Sequence, residues 1–208
     1  MIWLTTLALA APQTPLQEHM QGHFAYATDA MWYTATGDLD KAREEAAKLD
    51  HPADGAVPDE LKPLVANLRT VSLAIAKAEN QERAGQQVGR LSAACASCHI
   101  AAEDGPRIAK DKVSHLGHEG PSHLWGVYGM WVGLVLPEDP SWSEGVALLD
   151  PSRLTAHPRY KSVEAVAQQF AAHTAAAARA NSHRDRAEIF GKLLSTCKTC
   201  HDALEIDL

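Results

Sequence analysis

Apolar positions in the first part of the chain recur at the spacing of a helix that buries one face. His23, Ala27, Ala30, Met31 and Thr34 fall at i, i+4, i+7, i+8 and i+11, which predicts a helix from about Gln17 to Thr36. Gly37 stops it, and Asp38-Leu39-Asp40 offers an N-cap for a short second helix through Leu49. His51 to Pro58 is turn-rich and reads as a loop. A third helix is expected over Glu60–Glu79, with Leu61, Leu64, Val65, Leu68, Val71 and Ile75 inward and Pro63 in its first turn, where the missing N–H is harmless. Asn80 can cap a fourth, whose inner stripe reads Ala84, Val88, Leu91, Cys95, Cys98. No run alternates with period two over a useful length, so no strands are expected.

The second half repeats the plan. After a linker rich in charge, Gly and His, His123, Val127, Met130, Trp131 and Leu134 mark a helix ending near Leu136, before Pro137 and Pro140. Ser141–Leu149 is the short second helix and Pro151–Pro158 the loop, while Val163, Val166, Ala167, Phe170 and Ala177 line the third helix. Ser182 with Asp185 resembles a capping box for the last, whose inner face reads Phe190, Leu193, Leu194, Cys197, Cys200. His23 and His123 lie 100 positions apart and Cys95 and Cys197 lie 102 apart, an internal duplication. The expected fold is all-α: two tandem four-helix bundles, residues 12–104 and 122–208, joined by a linker over 105–121.

Each repeat ends its last helix in the same motif, Cys95-Ala96-Ser97-Cys98-His99 and Cys197-Lys198-Thr199-Cys200-His201, and the two copies use all four cysteines of the chain. C-x-x-C-H is the attachment signature of haem c: two thiols form thioethers to the porphyrin and the adjacent imidazole takes the iron. On a helix the cysteines at i and i+3 and the histidine at i+4 project toward one ring. Other readings are weaker. Zinc sites built from two C-x-x-C pairs place them about 12–20 residues apart, a thioredoxin-type motif needs a βαβ context, and a disulfide within one motif closes too small a loop to stabilise much. The motifs therefore imply two covalent haems c, on Cys95 and Cys98 and on Cys197 and Cys200, with His99 and His201 as proximal iron ligands.

A four-helix bundle with an axial-ligand position on its first helix and C-x-x-C-H near the end of its fourth resembles the cytochrome c-prime superfamily of class II c-type cytochromes. Here two such units are fused, each with a short second helix. Where the family places Met or an apolar residue on the first helix, this chain offers His23 and His123 at equivalent positions, and these are the candidate distal ligands. Met20 and Met130 are alternatives without a counterpart in the other half. His19 reads as a solvated first-turn residue, and His115 or His118 could reach the second haem from the linker. The resemblance admits a homodimer.

Residues 1–11 form a short apolar run with Ala8-Leu9-Ala10 in the arrangement of a signal-peptidase site, so a signal peptide or short anchor is expected there and the mature protein belongs outside the cytoplasm, in a bacterial periplasm. The formal net charge of −7 argues against nucleic acid and for redox partners with a basic docking surface. Two irons each held by two imidazoles leave no site for substrate, so the expected function is electron transfer at comparatively low potential rather than enzymatic catalysis. Five-coordinate iron would instead make a protein that binds NO or CO or reduces peroxide. A third reading is an electron-transfer subunit of a larger respiratory or photosynthetic membrane complex.

Overall fold

A computed structural model describes residues 14–50, 57–103, 122–152 and 160–206. Among them are eight α-helices and no strand: α1 Pro15–Thr36, α2 Leu39–Lys48, α3 Lys62–Ala76, α4 Gln81–Ala102, α5 Ser122–Val135, α6 Asp139–Leu148, α7 Tyr160–Arg179 and α8 His183–Leu204. The chain is all-α, as its periodicity predicts. The leader, the linker over 105–121, and His51, His115, His118 and His157 lie outside the described residues.

Helix ends follow local chemistry. Thr14 and Gln17 form a capping box at α1, and Gly37 closes that helix in the left-handed conformation (φ 91°), its N–H donating to the Tyr33 carbonyl. The side chains of Asp38, Asn80 and Ser182 accept from the backbone N–H of Lys41, Arg83 and Asp185, capping α2, α4 and α8. Two helices differ from expectation at their boundaries. The third helix is preceded by a 3-10 turn, Asp59–Leu61, and ends at Ala76 rather than Glu79. The sixth starts at Asp139, because Pro140 sits in its first turn instead of breaking the chain ahead of it.

The predicted inner face of α1 is buried throughout, from His23 to Thr34. It packs into one apolar cluster that also takes Leu91 of α4, Trp131 and Leu134 of α5, and Phe190 and Leu194 of α8. Trp131, wholly buried, stacks on Phe190 with ring centroids 6.2 Å apart, and its Nε1–H donates to Thr28 Oγ1 at 3.0 Å. The two halves of the chain thus share a core.

What brings the halves together is a second buried face on the motif helices. On α4, Gly85, Gly89 and Ser92 are buried in addition to the apolar stripe, and on α8 Ala187 and Gly191 are buried likewise. A Cβ on Gly85 would stand 2.9 Å from the Gly191 carbonyl, and one on Gly89 would run into the Ala187 carbonyl. Only small residues let two helix backbones approach this closely. The pairs are reciprocal: with the repeat offset of 102, Gly85 matches Ala187 and Gly89 matches Gly191, so each helix offers the same patch to the other. Exchanging the two patches maps one contact onto the other, so the pairing is self-complementary.

The register makes α4 and α8 antiparallel, since Gly85 meets Gly191 while Gly89 meets Ala187. It places Asn181 level with Cys95, and at about 1.5 Å per helical residue the two Cys-x-x-Cys motifs lie about 24 Å apart along the helix axis. Among the described residues no helix is long and apolar enough to cross a membrane.

Candidate functional site

The first motif opens into a narrow cleft between α1, α3 and α4. Cys95, Cys98 and His99 line one side and His19, Met20 and His23 another, with Leu64, Val65, Leu68 and Leu91 as apolar walls. The sequence-predicted residues of the first half therefore converge. His19 does as well: it was expected in solvent, yet its ring stands 4.1 Å from that of His23 inside the cleft. One turn of helix separates the two, so the face that carries His23 inward carries His19 with it.

His99 is oriented from the other half of the molecule. Its Nδ1–H donates to the carbonyl of Val135 at 2.6 Å, leaving Nε2 to act as a ligand. Val135 is the last residue of α5, where helical carbonyls lack partners within the helix. The Glu138 N–H, three residues on, donates to the Gly133 carbonyl instead. The tethering group is a backbone oxygen, which no side-chain motif announces, so sequence reasoning passed over it.

At the second motif, His123 from the start of α5 faces His201 at the end of α8, ring centroids 6.2 Å apart and planes tilted by 54°. Cys200 packs on Val163, Val166 and Leu204, which form a small apolar cluster of their own. His201 is 8 % exposed, and its Nδ1 is buried without a hydrogen-bond partner.

Burial sets the electrostatics. It pushes the Cys95 and Cys197 thiols up to about 12, and raises those of Cys98 and Cys200 less. Desolvation lowers His99, His123 and His201, keeping the imidazoles neutral; for His99 the hydrogen bond to Val135 opposes this in part. Neutral imidazole is the form that binds a metal. His173 lines an open polar groove with Lys192 and Lys198, and His183 begins α8.

No family model, curated protein or solved structure matches this chain.

At the second motif the imidazole spacing is that of two ligands to one metal, and at the first motif the histidines and cysteines of the signature line one cleft. An imidazole–metal bond is about 2 Å long, and the nitrogen lies about 1.1 Å from its ring centre, so two imidazoles on opposite faces of one metal need centroids about 6 Å apart. His123 and His201 have that spacing. Cys95 and Cys98 line the first cleft beside His99, Cys200 packs on the small apolar cluster of the second half, all four thiols are free of disulfides, and the paired motifs are too far apart for a shared four-cysteine site. Among the described residues, no cluster of three or more His, Cys, Asp or Glu is arranged to hold a bare metal ion. Met130 is fully buried in the shared core, whereas Met20 lines the first cleft.

Proposed function

We propose that this chain is a di-haem c-type cytochrome that carries electrons between redox partners outside the cytoplasm. Each half serves as one haem-bearing four-helix unit of the class II kind. The observation that carries the reading is the His123–His201 pair, 6.2 Å apart beside a Cys-x-x-Cys motif whose thiols form no disulfide. Haem c would supply one-electron exchange between ferric and ferrous iron.

The chain's own residues do the rest. Cys95 and Cys98, and Cys197 and Cys200, tether the group; His99 and His201 take the proximal positions, and His23 and His123 the distal ones. With haem bound, these imidazoles would occupy the positions an exogenous ligand needs, which favours a carrier over an enzyme. Apolar walls such as Leu64, Leu68 and Leu91 in the first cleft, and Val163 and Val166 in the second, keep water from the ring. The acidic balance of the chain, −7 in formal charge, favours partners with a basic docking face.

The test is the native protein purified from a host that attaches haem c. Its mass should exceed that of the bare chain by two haems, and the oxidised spectrum should be low-spin and, after reduction, unchanged by carbon monoxide. A high-spin spectrum that shifts with the gas would make it a gas-binding or peroxide-reducing protein instead. A mass equal to the bare polypeptide would end the haem reading altogether.

A further inference from the structure

The two sites are near copies in sequence, yet their proximal histidines are held differently. His99 Nδ1–H donates to Val135 at 2.6 Å, while His201 Nδ1, itself buried, meets no acceptor on the protein. The internal repeat makes Ala35 the counterpart of Val135, by the offset of 100 that relates His23 to His123. At that end of α1 two neighbouring carbonyls are engaged elsewhere, Tyr33 O by the Gly37 N–H and Thr34 O by the Gln81 side-chain amide, and no carbonyl there meets His201. The first helix ends in a glycine cap, the fifth in a turn that carries Pro137. Only the latter presents a carbonyl to a motif histidine.

We propose that this difference makes the two irons unequal, with the site of Cys95, Cys98 and His99 at the lower reduction potential and the site of Cys197, Cys200 and His201 at the higher. The inference rests on the di-haem reading above. A ligating imidazole that donates its second N–H to a carbonyl gains electron density at the ligating nitrogen, which stabilises the more oxidised metal. A buried imidazole without such an acceptor gains none.

Nearby charge does not reverse the order. Lys198 and Asp202 flank His201, but they form an ion pair at 2.7 Å and their opposite charges offset one another. Their counterparts beside His99 are Ala96 and Ile100, both uncharged.

A single electron therefore resides at the second site, and the oxidised–reduced distribution is directional: an electron delivered to the first site moves to the second, with one iron oxidised as the other is reduced and no bond made or broken. Because Val135 and His123 lie at opposite ends of α5, that one helix also touches both sites, holding His99 with its last carbonyl and facing His201 with its second residue.

The experiment is a spectropotentiometric titration of the full-length protein followed by NMR, with each haem's resonances assigned through contacts to Cys95 or to Cys197. At half reduction the second site should hold the electron with at least about tenfold preference, equivalent to 59 mV for a one-electron couple. The His99 Nδ1 proton should also exchange with solvent more slowly than that of His201. Equal filling of the two sites, or earlier reduction of the first, would overturn the proposal. So would the expected order accompanied by equal exchange of the two Nδ1 protons, since the cause would then lie elsewhere. A protein without two haems would instead defeat the reading on which the proposal stands, and the mass determines that before any titration begins.

Discussion

Gly89 of α4 and Gly191 of α8 lie backbone to backbone, the Gly191 Cα 3.1 Å from where a Cβ on Gly89 would stand. With the reciprocal pairs Gly85–Gly191 and Gly89–Ala187, that contact joins the two halves. Alanine at 89 would collide with the Ala187 carbonyl, a backbone atom that cannot swing aside. Overpacking of this kind costs about 1–3 kcal/mol, set against at most about 1 kcal/mol gained by removing glycine from a helix. Gly89→Ala should therefore destabilise by about 1–2 kcal/mol, lowering the melting midpoint by about 2–4 °C per kcal/mol in a chain of this size. Gly22→Ala is the control: nothing lies within 4 Å of its added methyl, and it should stabilise the protein. Equal melting points for the two variants would refute the close approach.

This contact also marks the boundary of what the sequence reveals. The large-residue stripes were legible, because His23, Ala27, Ala30, Met31 and Thr34 on α1 and Phe190, Leu193 and Leu194 on α8 announce a buried face by period alone. Caps at Asp38, Asn80 and Ser182 were legible because their side chains do the capping. The Gly85–Gly89–Ser92 face was not, since small residues carry almost no hydrophobic signal and glycine in a helix reads as a weakness until a partner backbone is seen against it. Pro140 was misplaced because proline suits both a breaker and a first turn. The four motif cysteines and His99, His201, His23 and His123 are candidates read from pattern alone. The inward turn of His19 and the Val135 carbonyl depended on packing.

Trp131 offers a test of the shared core. Its indole stacks on Phe190 and donates to Thr28, so it touches helices of both halves at once. Trp131→Ala should cost about 3–5 kcal/mol, the range for removing a large buried aromatic. Urea unfolding followed by helical circular dichroism should remain a single transition, shifted as a whole. Two resolved steps, with only the later half of the chain weakened, would show that the core is divided.

His23→Ala separates ligation from packing. If His23 holds the first iron, the spectrum of one haem should turn high-spin and become sensitive to carbon monoxide while the other stays low-spin. His19, 4.1 Å away on the same face, is the nearest imidazole able to replace it, so the double variant His19→Ala, His23→Ala is needed to remove both. An unchanged spectrum in the double variant would exclude α1 as the source of the distal ligand.

Stability should fall as the solution turns mildly acidic. His99, His123, His173, His183 and His201 all have pKa values lowered in the fold, chiefly by desolvation. Below the ordinary histidine value of about 6.5, the unfolded chain binds protons that the folded one refuses, so unfolding becomes easier as pH drops. The contribution is fully present above that value and is lost as pH falls toward the depressed folded values. Iron ligation by the same imidazoles would act in the same direction, since protons compete with a metal for those nitrogens. Melting midpoints measured from pH 8 to pH 5 should be level at first and then decline from about 6.5. A decline beginning only in the carboxylate range would mean that these imidazoles are not buried in neutral form.

The thiols give a prediction that needs no iron. In chain produced without haem attachment, Cys95 and Cys197 are pushed up to about 12 by burial, while Cys98 and Cys200 are raised less and stand nearer solvent. Thiolate is the species that alkylates, and at pH 8 a thiol of pKa 12 is ionised to about one part in ten thousand. Iodoacetamide should therefore label Cys98 and Cys200 first, and Cys95 and Cys197 only on unfolding, as peptide mapping after a timed quench would resolve. The order follows from helix geometry: the cysteine one turn earlier in each motif sits deeper along the stripe that continues from Leu91 in α4 and from Leu194 in α8. Simultaneous labelling of all four would mean that the ends of α4 and α8 fray without the group they are proposed to carry, and that haem attachment orders the last turns of both helices.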